Sequence, residues 1–272
     1  MRRSATEIKR YRVLLRLIPI ILGIILLVLI LTYIVTILYD RYGSFSVSIN
    51  KFANVRYALT LSETDDFSTP VSRLNSKASV DITNIDGTEL PLDLDTQDGE
   101  HNGKNYLAYT FYLHNNGKET LKYQSQLQAV KAAKDADEAC RVLVYKNGEP
   151  EVFAKENRGL TSADGKPEAF EKIFKKEIPE NFTPPTKEEI EAAAEQPQNK
   201  EPVAHTDEEI VIQPFVDSKT VFNTEVDGLE PGATDKYTIV MWIEGEDPEC
   251  LDVIRGGYVK LMWFFNIADE EL

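Results

Sequence analysis

Residues 17–39 read LIPIILGIILLVLILTYIVTILY and contain no charged side chain. No other stretch of the chain is as long or as apolar. A helix of roughly 23 residues rises about 34 Å, enough to cross a bilayer core of about 30 Å. Arg2, Arg3, Lys9, Arg10, Arg12 and Arg16 precede the run, opposed only by Glu7. Cationic flanks stay on the cytoplasmic side. The pattern predicts a basic cytoplasmic tail at 1–16, one transmembrane helix at 17–39 and an extracellular domain at 43–272. Tyr33, Tyr39 and Tyr42 fall where an interfacial aromatic belt lies. Pro19 falls in the first turn, where a missing N–H costs least. A cleaved signal peptide is the rival reading. Its apolar core is shorter, about 7–15 residues, and ends in a small-x-small site; here only Gly43 and Ser44 approach one. A buried core helix is the third reading, but the run has no polar face.

The acidity of the chain lies beyond this segment. Residues 1–41 hold seven Lys/Arg and two Asp/Glu, and the whole chain carries −15, so residues 42–272 carry −20. A domain of that charge repels phosphate backbones, which excludes nucleic acid as a partner. Its length of about 230 residues suits one large sandwich, or a sandwich with an insertion. Two cysteines, Cys140 and Cys250, can pair in an oxidising compartment or stand as separate buried thiols.

Most of the domain is patterned as strand. In 43–49 (GSFSVSI) Phe45, Val47 and Ile49 share one side. Further strands are expected at 55–61 and at 78–85, the latter ended by Asp86-Gly87. The 105–114 segment (NYLAYTFYLH) alternates cleanly and ends at Asn115-Asn116-Gly117. Residues 121–130 fit either a helical or a strand period. Strands at 140–145 and 151–154 flank an Asn147-Gly148 hairpin corner. Strands at 220–225, 236–244 and 258–267 complete the set. The last two are apolar on both faces, as strands in the middle of a core are. Between 155 and 207 prolines interrupt a Glu/Lys-rich stretch, read as a partly helical insertion. One short helix follows Pro167, with Phe170, Ile173 and Phe174 as its stripe. A second runs over 186–195, opened by a Thr186–Glu189 capping box.

Catalytic signals are sparse. His101, His114 and His205 lie apart, with no His-Glu-x-x-His pair, no nucleophile elbow and no phosphate-binding glycine loop. Asp93, Asp95, Asp98 and Glu100 fall within eight residues and are weak calcium candidates. An EF-hand needs glycine at its sixth position, and Asp98 stands there. A solvated acidic loop is the plainer reading, and the same holds for Glu244, Glu246, Asp247 and Glu249. Trp242, Trp263, Phe264 and Phe265 fit core packing, with a carbohydrate platform as the rival.

The segment 235–250 (DKYTIVMWIEGEDPEC), followed by 256–265 (GGYVKLMWFF), resembles the C-terminal signature of the TasA/camelysin-like surface proteins of Gram-positive bacteria. Precursors of that family carry a SipW-type signal peptide. Segments 102–117 (NGKNYLAYTFYLHNNG) and 137–149 (DEACRVLVYKNGE) are similar to its internal strands. The resemblance implies a mainly β, jelly-roll-like sandwich at the cell surface. Some relatives polymerise into biofilm-matrix fibres by donating an N-terminal strand; here Phe45, Val47 and Ile49 are expected to form the exchangeable strand or its in-place counterpart. The basic flank and the 155–207 insertion depart from the family pattern and favour a tethered role.

The expected function is therefore adhesion, matrix attachment or fibre assembly by a non-enzymatic, membrane-anchored protein. Its expected partners are the membrane, through one helix, and copies of itself or related surface subunits. A surface metallo-endopeptidase and a ligand-binding sensor subunit are the alternatives. Apart from weak calcium, no cofactor is expected.

Overall fold

In the computed structural model the described residues are 18–19, 21–33, 44–49, 59–77, 81–155, 174–176, 205–245 and 247–267. The chain divides into two compact units, Met1–Tyr42 and Gly43–Leu272. In the first, residues 18–19 and 21–33 are helical with exposed side chains. Among the described residues no helix is long and apolar enough to cross a membrane. The other parts of the expected span, 17, 20 and 34–39, and the tail at 1–16, lie outside the described residues.

The second unit is mainly β, with two mixed sheets packed together. Its strands are β1 (Phe45–Ile49), β2 (Leu59–Ser62), β3 (Arg73–Asn75), β4 (Gly99–Glu100), β5 (Tyr106–Asn115), β6 (Leu121–Ala133), β7 (Cys140–Lys146) and β8 (Glu149–Ala154). They continue with β9 (Phe174–Lys176), β10 (His205–Glu209), β11 (Ile212–Pro214), β12 (Thr220–Leu229), β13 (Thr234–Ile243) and β14 (Tyr258–Ile267). One sheet runs β12-β6-β14-β1-β3; the other runs β11-β8-β7-β13-β5-β2, with β4 on β5. Pairing is antiparallel except for β1 on β14 and β11 on β8.

Alternation explains which face each strand buries. Leu107, Tyr109, Phe111 and Leu113 of β5 pack with Tyr237, Ile239 and Met241 of β13. Facing them are Leu121, Tyr123 and Leu127 of β6, and Leu261, Trp263 and Phe265 of β14. Aromatic pairs cross the interface: Phe111 meets Trp263 with ring centres 5.2 Å apart, and Phe153 meets Phe222 at 5.1 Å. A second apolar cluster, Leu90, Leu94, Ala108, Leu143, Val152, Val240 and Trp242, covers the other face of the β5–β13–β7–β8 region. Thus β13 is buried on both faces, as its composition predicts. In β14 only one face is fully buried; Met262 and Phe264 on the other are half-buried.

Residues 121–130, ambiguous by period, belong to the thirteen-residue β6, where buried and solvent-facing residues alternate from Leu121 to Ala129. Pairing with both β12 and β14 decides the matter, because it satisfies the backbone on both sides. The expected strand at 78–85 is not formed over 81–84; Ile85 makes only an isolated bridge to Glu244. Within the expected insertion β9 and β10 form a two-stranded antiparallel ribbon. Phe174 therefore starts a strand rather than completing a helical stripe. Phe170, Ile173 and the 186–195 helix lie outside the described residues.

Candidate strand-exchange site

Phe45 and Val47 are buried to 1% and 0% exposure, and Ile49 packs half-buried against the same core. The three share the inward face of β1, as their spacing predicts. The ring of Phe45 lies 5.5 Å from that of Tyr109 and 6.5 Å from that of Trp263. Burying Phe45 and Val47 contributes about 1.5–3 kcal/mol each. Side chains therefore hold this strand as much as its ladder does.

The ladder is unequal on the two sides. All five residues of β1 pair in parallel with β14, from Phe45 opposite Leu261 to Ile49 opposite Phe265. On the other side β3 supplies only three partners, Leu74 opposite Val47 among them. The Ser76 hydroxyl accepts from the Phe45 amide at 3.0 Å, and Ser76 N–H donates to the Phe45 carbonyl at 2.9 Å. Sequence reading found the strand but missed β14, β3 and Ser76 as its partners. No local signal carries that information, since the partners lie from 25 to more than 200 residues away. At the opposite edge of this sheet, β12 pairs with β6 through two register irregularities. It turns Glu225 and Asp227 outward to Lys122, at 3.8 and 2.9 Å. Charges and irregularities of this kind guard an edge against indiscriminate pairing.

The acidic residues are committed to separate protein partners. Asp93 is 2% exposed and accepts from the Gln97 amide at 2.6 Å. Asp95 accepts from the Thr238 hydroxyl at 2.8 Å and pairs with Lys236 at 3.5 Å. Asp98 accepts from the Tyr112 hydroxyl at 2.6 Å, and Glu100 from the Lys77 amide at 3.0 Å. Among the described residues no three His, Cys, Asp or Glu side chains converge as a metal site.

The second acidic run is only partly the solvated loop its composition suggests. Glu244 is fully buried and accepts from the Trp242 indole at 2.9 Å and the Gly87 amide at 3.0 Å. Asp247 accepts from the Arg141 guanidinium at 2.8 Å, with both side chains almost wholly buried. Glu246 lies outside the described residues. The Trp-x-Glu-Gly-Glu-Asp-Pro segment thus fastens the end of β13 to β7 and to the turn at Gly87. Trp242, Trp263 and Phe265 are fully buried, so they form core rather than a sugar platform, and Phe264 is half-buried.

Cys140 and Cys250 are both free thiols. Burial pushes the Cys140 thiol up to about 12, which keeps it protonated and inert. Burial also raises the Cys250 thiol. His101 is buried directly after β4, its two ring nitrogens each 2.9 Å from a carbonyl, of Gly99 and Leu94. Burial lowers its pKa below 6.5, partly opposed by those two carbonyls. His114 meets the Thr234 hydroxyl at 2.8 Å, and His205 stands in β10.

No protein-family model matches the chain, and no curated protein sequence matches it.

Proposed function

We propose that the chain is a membrane-anchored bacterial surface protein of the TasA/camelysin-like type. It acts in adhesion, matrix attachment or fibre assembly, and engages partners by strand addition. The mainly β, two-sheet architecture is compatible with the jelly-roll-like sandwich that the resemblance implies. Residues 17–39 anchor it, with the basic tail in the cytoplasm and the 43–272 domain outside. Support for the anchor is the charge-free run behind six cations.

The observation that carries the reading is the position of β1. A five-residue strand at the start of the domain lies parallel to the last strand, seated by Phe45 and Val47 and bounded by a three-residue edge. Withdrawal of β1 uncovers the flank of β14 and a groove at Trp263 and Tyr109. The equivalent strand of another subunit fits that groove with the same side chains and ladder. Val47→Pro removes a ladder donor from β1. Self-association of the full chain, measured by light scattering in detergent, is expected to weaken about fivefold for one lost backbone hydrogen bond. Unchanged association, in a variant whose buried tryptophans keep their native fluorescence, overturns the reading.

A further inference from the structure

We propose that the end of the domain from which β1 emerges is a docking face for phospholipid headgroups, a surface that rests on the anchor reading above. The register defines this end. Because β1 runs parallel to β14, with Phe45 opposite Leu261, the chain enters both strands from the same end of the sheet. The antiparallel pairing of β6 with β14 brings the end of β6 there too, with Tyr258 opposite Ala133 and Lys260 opposite Lys131. Ser44 lines a cleft of about 440 Å³ together with Leu251, Ile254, Arg255 and Tyr258.

What gathers at this end suits a membrane interface. Leu251, Val253 and Tyr258 are 54%, 64% and 44% exposed, within eight residues of one connection. Val130 adds a fourth exposed apolar side chain. Lys131 and Lys260 lie opposite each other at this end of β6 and β14, Lys134 follows β6, and Arg255 lies in the connection before β14. The Lys131 amine lies 5.1 Å from the centre of the Tyr258 ring, and the Lys134 amine donates to the Arg255 carbonyl at 2.6 Å. Asp81, Asp135 and Asp252 share the region, and Asp252 pairs with Arg255 at 3.2 Å. Apolar tips among cations, with a tyrosine beside them, favour the headgroup boundary.

Chain length and charge select the occupant. Only residues 40–43 separate the apolar run from Ser44. Five extended steps reach at most about 17 Å. An anchored chain therefore holds this end within a short distance of the lipid surface. The rest of a domain carrying −20 is repelled by anionic headgroups, so the end where four cations stand against three carboxylates, beside exposed apolar tips, is the one that settles on them.

The test uses the full chain reconstituted into vesicles of phosphatidylglycerol and phosphatidylcholine with brominated acyl chains. Val253→Trp puts an indole at the docking end. Lys118→Trp puts one in the exposed turn before β6, at the other end of the sheet. Native Trp242 and Trp263 are fully buried and give both variants the same background. Bromine is expected to quench Val253→Trp at least about twofold more than Lys118→Trp, because an interfacial side chain sits at the acyl boundary. Adding Lys131→Gln and Arg255→Gln is expected to weaken docking about fivefold per lost cation and to remove the difference. Equal quenching, or none, in a chain that resists an alkaline carbonate wash overturns the docking face and leaves the anchor standing. Release by the wash overturns the anchor, and the docking face with it.

Discussion

Arg141 and Asp247 show how an acidic motif can be structural at the level of single side chains. Their exposures are 1% and 2%, and the guanidinium donates at 2.8 Å. Arg141→Met leaves the Asp247 carboxylate buried without its cation, a loss of about 3–5 kcal/mol that urea unfolding measures directly. The double variant Arg141→Met with Asp247→Leu is expected to recover part of that loss, because no charge is then stranded. Full loss in the double variant would show that shape, not charge, is what Arg141 provides. His101 carries a pH dependence. Its folded pKa lies below 6.5 because burial disfavours the imidazolium. As pH falls through 6.5 the unfolded chain takes up the proton first, so stability present at neutral pH drains away below it. His101→Gln removes this term. The gap in urea midpoint between wild type and variant is expected to narrow from pH 7.5 to pH 5.5; a constant gap contradicts a buried neutral ring.

Among the elements, the β7–β8 hairpin was the most legible from sequence. Asn147 and Gly148 take φ of +51° and +90°, the positive values that a tight corner between right-twisted strands requires. The Asn147 side chain adds what no pattern announces: it donates to Asp235 at 2.7 Å and accepts from the Lys236 amide at 2.8 Å, tying the corner to β13. Gly148→Ala is expected to cost about 1–2 kcal/mol through its left-handed backbone alone. A new Cβ there meets only Asp95 Oδ2 at 3.9 Å. A drop in melting temperature without loss of the native fold is the expected reading; an unchanged melting temperature would mean that the corner relaxes to another turn. The strand β1 was equally legible by its alternation, yet its neighbours were not. Alternation tells which side chains point inward and is silent about which strand lies alongside. The expected strand at 78–85 shows the converse over 81–84: local β propensity alone does not make a strand there.

In the molecule as a whole, the first strand of the domain lies against the last, and two sheets enclose one aromatic core with a second cluster outside. The strands at 105–114, 140–145, 236–244 and 258–267 and the inward face of β1 follow from the sequence. Charge-free length and period-two alternation are local properties, written in neighbouring residues. The sheet order, the parallel seating of β1 on β14, the burial of Glu244 and Asp247, and the meeting of Lys131, Arg255 and Tyr258 at one end were decided only by the tertiary structure. Each depends on residues far apart in the chain, whose pairing is selected by the total area buried and by the backbone and charged groups satisfied together.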